Sequence, residues 1–332
     1  MGEVADFMDW KNDFLKLYMS TNKNEVQQAI NLKEENIPRY LYRYRSASKA
    51  KFVQNELLGQ IYMPHISELN DPFDSCSLLG SENINHYFDM EDFRAKLEHI
   101  IGSKIPKEKL NADTWSEDMI DYVMSLQGIP DINKKTAKEL YQMDTRSNLE
   151  KANARLNKIV KSDYRIACFS ETPYNLPMWN HYANGHRGIC LEYDTLKFNY
   201  NQDLRQRLFP VYYQDKLPDI LELMKDMDLK HLPKSLFDYI LIHKLRDWSY
   251  EKEWRLVLNL VQIDEADNNG DIGTIKWLTK PSKVYMGTKI DEDMKYFIIW
   301  LCEKLKVDIY QMECTEYGLR ESVVGKWSER RT

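Results

Sequence analysis

The stretch DWSYEKEWR, residues 247–255, sets Glu251 and Glu253 two positions apart, with Arg255 two further on. In an extended strand, residues at that spacing point to one side. Two carboxylates on one face repel each other unless a cation or the hydroxyls of a ligand lie between them. Such a pair suits gripping sugar hydroxyls or stabilising a developing cation. Trp248, Tyr250 and Trp254 border it. The plainer reading is an exposed face whose acids Arg255 neutralises.

Three further islands could join that pair. In YRYRS, residues 42–46, Arg43 and Arg45 alternate with tyrosines and share one face of a strand, so either could reach a phosphate. In CFSETPYNLPMWNHYANGHRG, residues 168–188, Ser170 follows the apolar run RIACF. No GxSxG elbow surrounds it, so positioning suits it better than nucleophilic attack. Trp179 and Tyr182 supply flat apolar surface, while His181 and Arg187 supply polar tips. That combination suits a planar ligand bearing charged groups, such as a nucleotide. It equally suits a helical turn that plugs the end of a sheet. His181 and His186 stand five apart across Asn184-Gly185, not at the i, i+4 spacing of a zinc pair, and no metal site is expected. In NDPFD, residues 70–74, Asn70 and Asp71 bond nearby backbone amides in a turn, or Asp71 and Asp74 supply, with Glu251 and Glu253, the carboxylates of a Mg²⁺-dependent nuclease.

The elements that must position these islands can be read from periodicity. Residues 1–36 read as helix, with apolar positions three and four apart. Pro38 breaks the helix, and alternating tyrosines make the stretch 37–46 strand-like. A helix over 48–59 stops at Gly59, and a short strand follows from 60. Strands are expected at 164–171, 188–194 and 208–215, and a helix at 221–245. Further strands are expected at 248–261, in TIKWL and in SKVYMGTKI, with a hairpin turn at Asn269-Gly270. EDMKYFIIWLCEKL reads as helix and VDIYQMEC as the last strand. Residues 82–160 are polar, charged and mostly helical. The expectation is an α+β core with a mixed or antiparallel central sheet, formed by 37–81 and 161–332. An N-terminal helical segment, 1–36, precedes it, and a helical insertion, 82–160, interrupts it and offers a surface for docking a partner.

Composition narrows the classes. The chain has 332 residues, 43% of them apolar and 12% aromatic, with 21 Tyr and 8 Trp, so a large core is possible. A net charge of -6 lacks the basic footprint of a general nucleic-acid binder. No apolar run reaches the length of a membrane span, and the first residues carry acids where a secretory signal carries bases, so a cytoplasmic protein is expected. Five scattered cysteines without a CxxC point to reduced thiols.

LYRYRS, NDPFD, CFSE, MWNHYANGHRGICLEYD and KLRDWSYEKEWRLV together resemble the bacterial domain of unknown function 2971, over about residues 40–290. That resemblance implies a prokaryotic or phage source and brings no established activity. A second resemblance concerns chemistry. Arg43 or Arg45, then Ser170, then Glu251-x-Glu253 stand in the chain order of the Arg-Ser-Glu type ADP-ribosyltransferases. That family implies a split central sheet with NAD as substrate. The arginine would pair with the diphosphate, Ser170 would orient the glutamate and the ribose, and Glu253 would bind a ribose hydroxyl. Trp179, His181, Tyr182 or His186 would stack on or contact the bases. The acceptor would be a protein or a nucleic acid, in a toxin or phage-defence effector. This chain departs from that family in carrying Phe-Ser-Glu where Ser-Thr-Ser is usual. The competing expectations are the Mg²⁺-dependent nuclease and a nucleotide-sensing or protein-binding module without turnover.

Overall fold

A stripe at every fourth position builds the N-terminal helix. Trp10, Phe14 and Tyr18 lie on one side of α1, Asp6–Tyr18. A second helix, α2, Lys23–Asn36, starts at Asn22, whose side chain accepts from the Asn24 amide at 2.9 Å. Trp10 stacks on Trp254 at 6.2 Å and Phe14 meets Phe209 at 6.4 Å. Tyr18 donates to Asp238 at 2.7 Å. The computed structural model describes residues 6–78, 94–95, 98–99, 102–110, 115–126, 147, 150–200, 202–220, 223, 235–259, 274–277 and 279–327.

The chain divides into two compact units. The first comprises residues 1–75, 160–216 and 233–332. It is built on an eight-stranded, mostly antiparallel sheet. Its members are β1 (Tyr40–Arg45), β3 (Tyr164–Ser170), β4 (Ile189–Asp194), β5 (Leu208–Pro210), β8 (Glu253–Asn259), β10 (Lys283–Met286), β11 (Asp308–Thr315) and β12 (Gly318–Gly325). They run in the order β12-β11-β10-β4-β1-β3-β8-β5, and only β10 and β11 are parallel neighbours. Two small sheets flank it. One pairs β2 (Gln60–Met63) with β9 (Thr274–Trp277), the other β6 (Tyr212–Gln214) with β7 (His243–Leu245).

One face of the large sheet carries the main core. Leu41, Phe169, Leu191, Trp254, Val284 and Ile309 pack there with Val53 and Leu57 of α3 (Ala50–Leu57). The second unit comprises 76–159 and 217–232. Its α4, Trp115–Leu126, buries Met119 against Ile105. Asn157 there exchanges hydrogen bonds with the Ser77 backbone. Much of the helical insertion expected at 82–160, and the Asn269-Gly270 hairpin, lie outside the described residues.

The structure corrects three element assignments. The segment 208–215 is not one strand. Pro210 cannot donate to a ladder, and the chain changes partners there: Val211 donates to the Glu253 carbonyl at 2.9 Å and Tyr212 to that of Ile242 at 2.8 Å. The helix expected over 221–245 ends within that range. Residues Leu236–Leu241 are helical and 243–245 form β7, because pairing with β6 overrides local propensity. Finally, β12 follows the strand expected to be last. Its exposed, weakly alternating edge carries little hydrophobic signal.

Candidate active site in a parting of the sheet

The sheet opens between β1 and β3. All six residues of β1 pair with β4, whereas Tyr42↔Ser170 is the single registered pair joining β1 to β3. β3 in turn stays with β8 along seven pairs, ending at Ser170↔Glu253. Toward Arg45 the two strands part, and a cavity of about 280 Å³ lies beside that parting. Arg43 and Arg45 line it from β1, Cys168 and Ser170 from β3, and Asn70 and Asp74 from the turn after β2. Tyr182, Lys244, Glu251 and Glu253 complete the wall.

Five ionisable side chains interlock at this wall. Lys244 donates to Glu251 at 2.6 Å and to Glu253 at 3.1 Å, and lies 3.5 Å from Asp74. Arg255 donates to both oxygens of Asp74 at 2.8 Å and to both of Glu253 at 2.8 and 3.1 Å. Its remaining capacity goes to Ser75 and to the Leu241 carbonyl. None of the five is more than 4% exposed. Burial works against the charge on Glu253, but Arg255 and Lys244 outweigh it and hold that carboxyl well below the usual range. Glu251 goes the other way. Burial and the neighbouring Glu253 charge push it up to about 7, against the pull of Lys244. Tyr182 donates its phenol to Glu251 at 2.6 Å, and Ser170 donates to the Glu251 carbonyl at 2.7 Å.

The family model described as Protein of unknown function (DUF2971) matches residues 178–256. This span is similar to DUF2971. No curated protein and no solved structure matches the chain. The matched span contributes Tyr182, Lys244, Glu251, Glu253 and Arg255, while the arginines of β1, Asp74 and Ser170 reach the cavity from outside it.

Glu251 and Glu253 meet for a different reason from the one the spacing suggests. Glu251 ends a 3₁₀ turn, Arg246–Glu251, and Lys252 follows in the left-handed region at φ 45° before β8 begins. A turn brings the two carboxylates onto one lysine, where a strand was expected to align them. Glu253 and Arg255 do share one face of β8, as expected.

The aromatic stretch divides between the cavity and the core. Tyr182, just beyond the short helix α5 (Leu176–His181), faces the cavity. Trp179 is fully buried, donates to the Pro173 carbonyl at 2.7 Å and stacks on His186 at 5.9 Å. Both rings plug the sheet end and line no part of the cavity. His181 is exposed and contacts the rings of Trp248 and Tyr250, outside the lining. Gly188 lets this plug approach β1: a Cβ there would lie 2.2 Å from the Arg45 carbonyl.

The two arginines separate as well. Arg43 is 4% exposed and is spent on Glu56 at 3.3 Å and the Tyr62 carbonyl at 2.7 Å. Arg45 engages Glu56 through Nε at 3.1 Å and leaves 34% of its side chain exposed. Lys244 opens the motif KLRDWSYEKEWRLV but was given no role there, since it reads as part of the apolar run ILIHKL. Asp71 accepts from the Phe73 amide at 2.9 Å, as a turn residue does, and does not line the cavity. The other acids a nuclease metal would use, Asp74, Glu251 and Glu253, already hold Lys244 or Arg255. No helix among the described residues is long and apolar enough to cross a membrane.

Proposed function

We propose that the cavity holds a ribosyl nucleotide of the NAD type and that the chain transfers its ribosyl group, as ADP-ribosyltransferases do. One observation supports this reading: Arg45, Ser170, Glu251 and Glu253 line the same cavity. Arg45 offers its outer guanidinium nitrogens to a phosphate. Ser170, fixed on the Glu251 carbonyl, positions the turn that presents the carboxylate. Glu253 has both oxygens occupied by Arg255 and Lys244, so it anchors the cluster. Glu251 takes one donor on each oxygen, Tyr182 and Lys244, and lines the cavity, so it takes the working role first expected of Glu253.

The reaction breaks the C1′–N bond between ribose and nicotinamide. Both bonding electrons go to the ring nitrogen, which loses its positive charge. The positive charge developing at C1′ faces the Glu251 carboxylate, which stabilises the transition state more than the ground state. An acceptor O–H or N–H then bonds to C1′ and passes its proton to Glu251. The cavity lies near the lower end of ligand-pocket volumes, about 300–1,000 Å³, so it takes one nucleoside-sized part of the dinucleotide.

Nicotinamide release from NAD tests the reading, with Arg45→Gln and Glu251→Gln beside the wild type. Wild type is expected to release nicotinamide. Arg45→Gln should raise KM by about tenfold and Glu251→Gln should lower kcat by about 100-fold or more. NAD that binds without releasing nicotinamide in the presence of cell extract refutes turnover and leaves a sensor.

A further inference from the structure

The buried cluster has one anion too many. Asp74, Glu251 and Glu253 face only Lys244 and Arg255 within it. The other titratable groups around Glu251 are the phenols of Tyr182, Tyr213 and Tyr250. Burial and the neighbouring carboxylates raise all three, so they stay neutral and add no cation. Cys168, raised by burial and by Glu253, is a neutral thiol. An excess charge in a water-poor wall is removed either by a proton or by a cation brought from outside. Arg45, with 34% of its side chain exposed, lines the same cavity.

We propose that the cavity selects a ligand with a fixed positive charge at one end and an anionic group at the other, and that the ligand's cation replaces a proton on Glu251 as it binds. The inference rests on the nucleotide reading for its choice of ligand, a ribosyl phosphate carrying a cationic ring. Glu251 is the group able to exchange a proton, because it is pushed up to about 7 by burial and by Glu253. Glu253 is not, because its two cations keep it ionised. Glu251 also carries the ligand side of the cluster: one of its oxygens takes Tyr182, the other Lys244, and both residues line the cavity.

Isothermal titration of the full chain with nicotinamide mononucleotide and with its reduced form separates the ring charge from size and phosphate. The first carries a pyridinium and the second a neutral dihydropyridine. At pH 8.5 the wild type is expected to bind the oxidised form at least about tenfold more tightly. At pH 6.5 that advantage should shrink by about fourfold, as a group titrating near 7 requires. Paired buffers of different ionisation enthalpy should show proton release on binding the oxidised form at pH 6.5 and none on binding the reduced form. Glu251→Gln should bind both forms alike.

Equal affinity for the two forms, absence of proton release, or failure of either form to bind overturns the proposal. The wild-type proton release decides the matter by itself if the variant does not fold. Discrimination without nicotinamide release from NAD keeps this inference and removes the transferase. Release without discrimination does the reverse.

Discussion

Taking the charge off Glu251 should shift the stability balance toward the variant as pH rises from acid to alkaline. Glu251 is 2% exposed and is pushed up to about 7, whereas the ordinary value for a glutamate is 4.5. Between those values the folded chain keeps a proton on Glu251 that the unfolded chain has already released. The stability this group contributes is therefore whole below about 4.5 and lost as pH rises through about 7. The difference between the two values corresponds to about 3 kcal/mol. Glutamine cannot ionise, so Glu251→Gln lacks that loss. Equilibrium urea unfolding, followed by tryptophan fluorescence at pH 5 and pH 8.5, measures it. The stability of the variant relative to wild type should move by about 3 kcal/mol in the variant's favour across that interval. Any constant cost of losing the Lys244 and Tyr182 hydrogen bonds cancels, because both proteins are compared at each pH. A difference that stays the same at both pH values refutes the assignment of the proton to Glu251.

Two further substitutions test the frame around the cavity. Arg255→Met strips the guanidinium from Asp74 and Glu253 while Lys244 remains, and breaking buried pairs of this kind costs about 3–5 kcal/mol. A loss below about 1 kcal/mol in urea unfolding would mean that the cluster is better solvated than its burial implies. Gly188→Ala drives a methyl group into the Arg45 carbonyl, so it should lower Tm and weaken nucleotide binding together. An unchanged Tm would show that the plug between β4 and β1 can give way.

The four islands picked out in the sequence sit at strand ends or turns, and all four send side chains to the cavity. They were legible because polar residues beside short apolar runs mark where a sheet stops and its edge loops begin. What the sequence hid was which member of each island does what. Trp179 and Tyr182 look alike as aromatic surface, yet one plugs the core and the other meets Glu251. The composition of a plug and that of a ligand wall are the same. Arg255 and Asp74 are separated by 181 positions, and no local pattern announces such a bond. Lys244 was masked by its apolar neighbours, which read as the end of a helix until β6 claimed them as β7. The order of β1, β3 and β8 was equally silent, since pairing partners far apart in the chain are chosen by packing.

Lys252 sets the phase of a strand that has two incompatible faces. After its left-handed turn, Glu253 and Arg255 point toward the charged wall, while Trp254 and Leu256 point into the oily core behind. Trp254 is held there by Trp10 and by donating to Glu171 at 2.9 Å. A period of two leaves no intermediate setting: one residue gained or lost at this turn would bring the indole among the acids and send the acids into the grease. The turn thus works as the key that admits a single reading frame of structure.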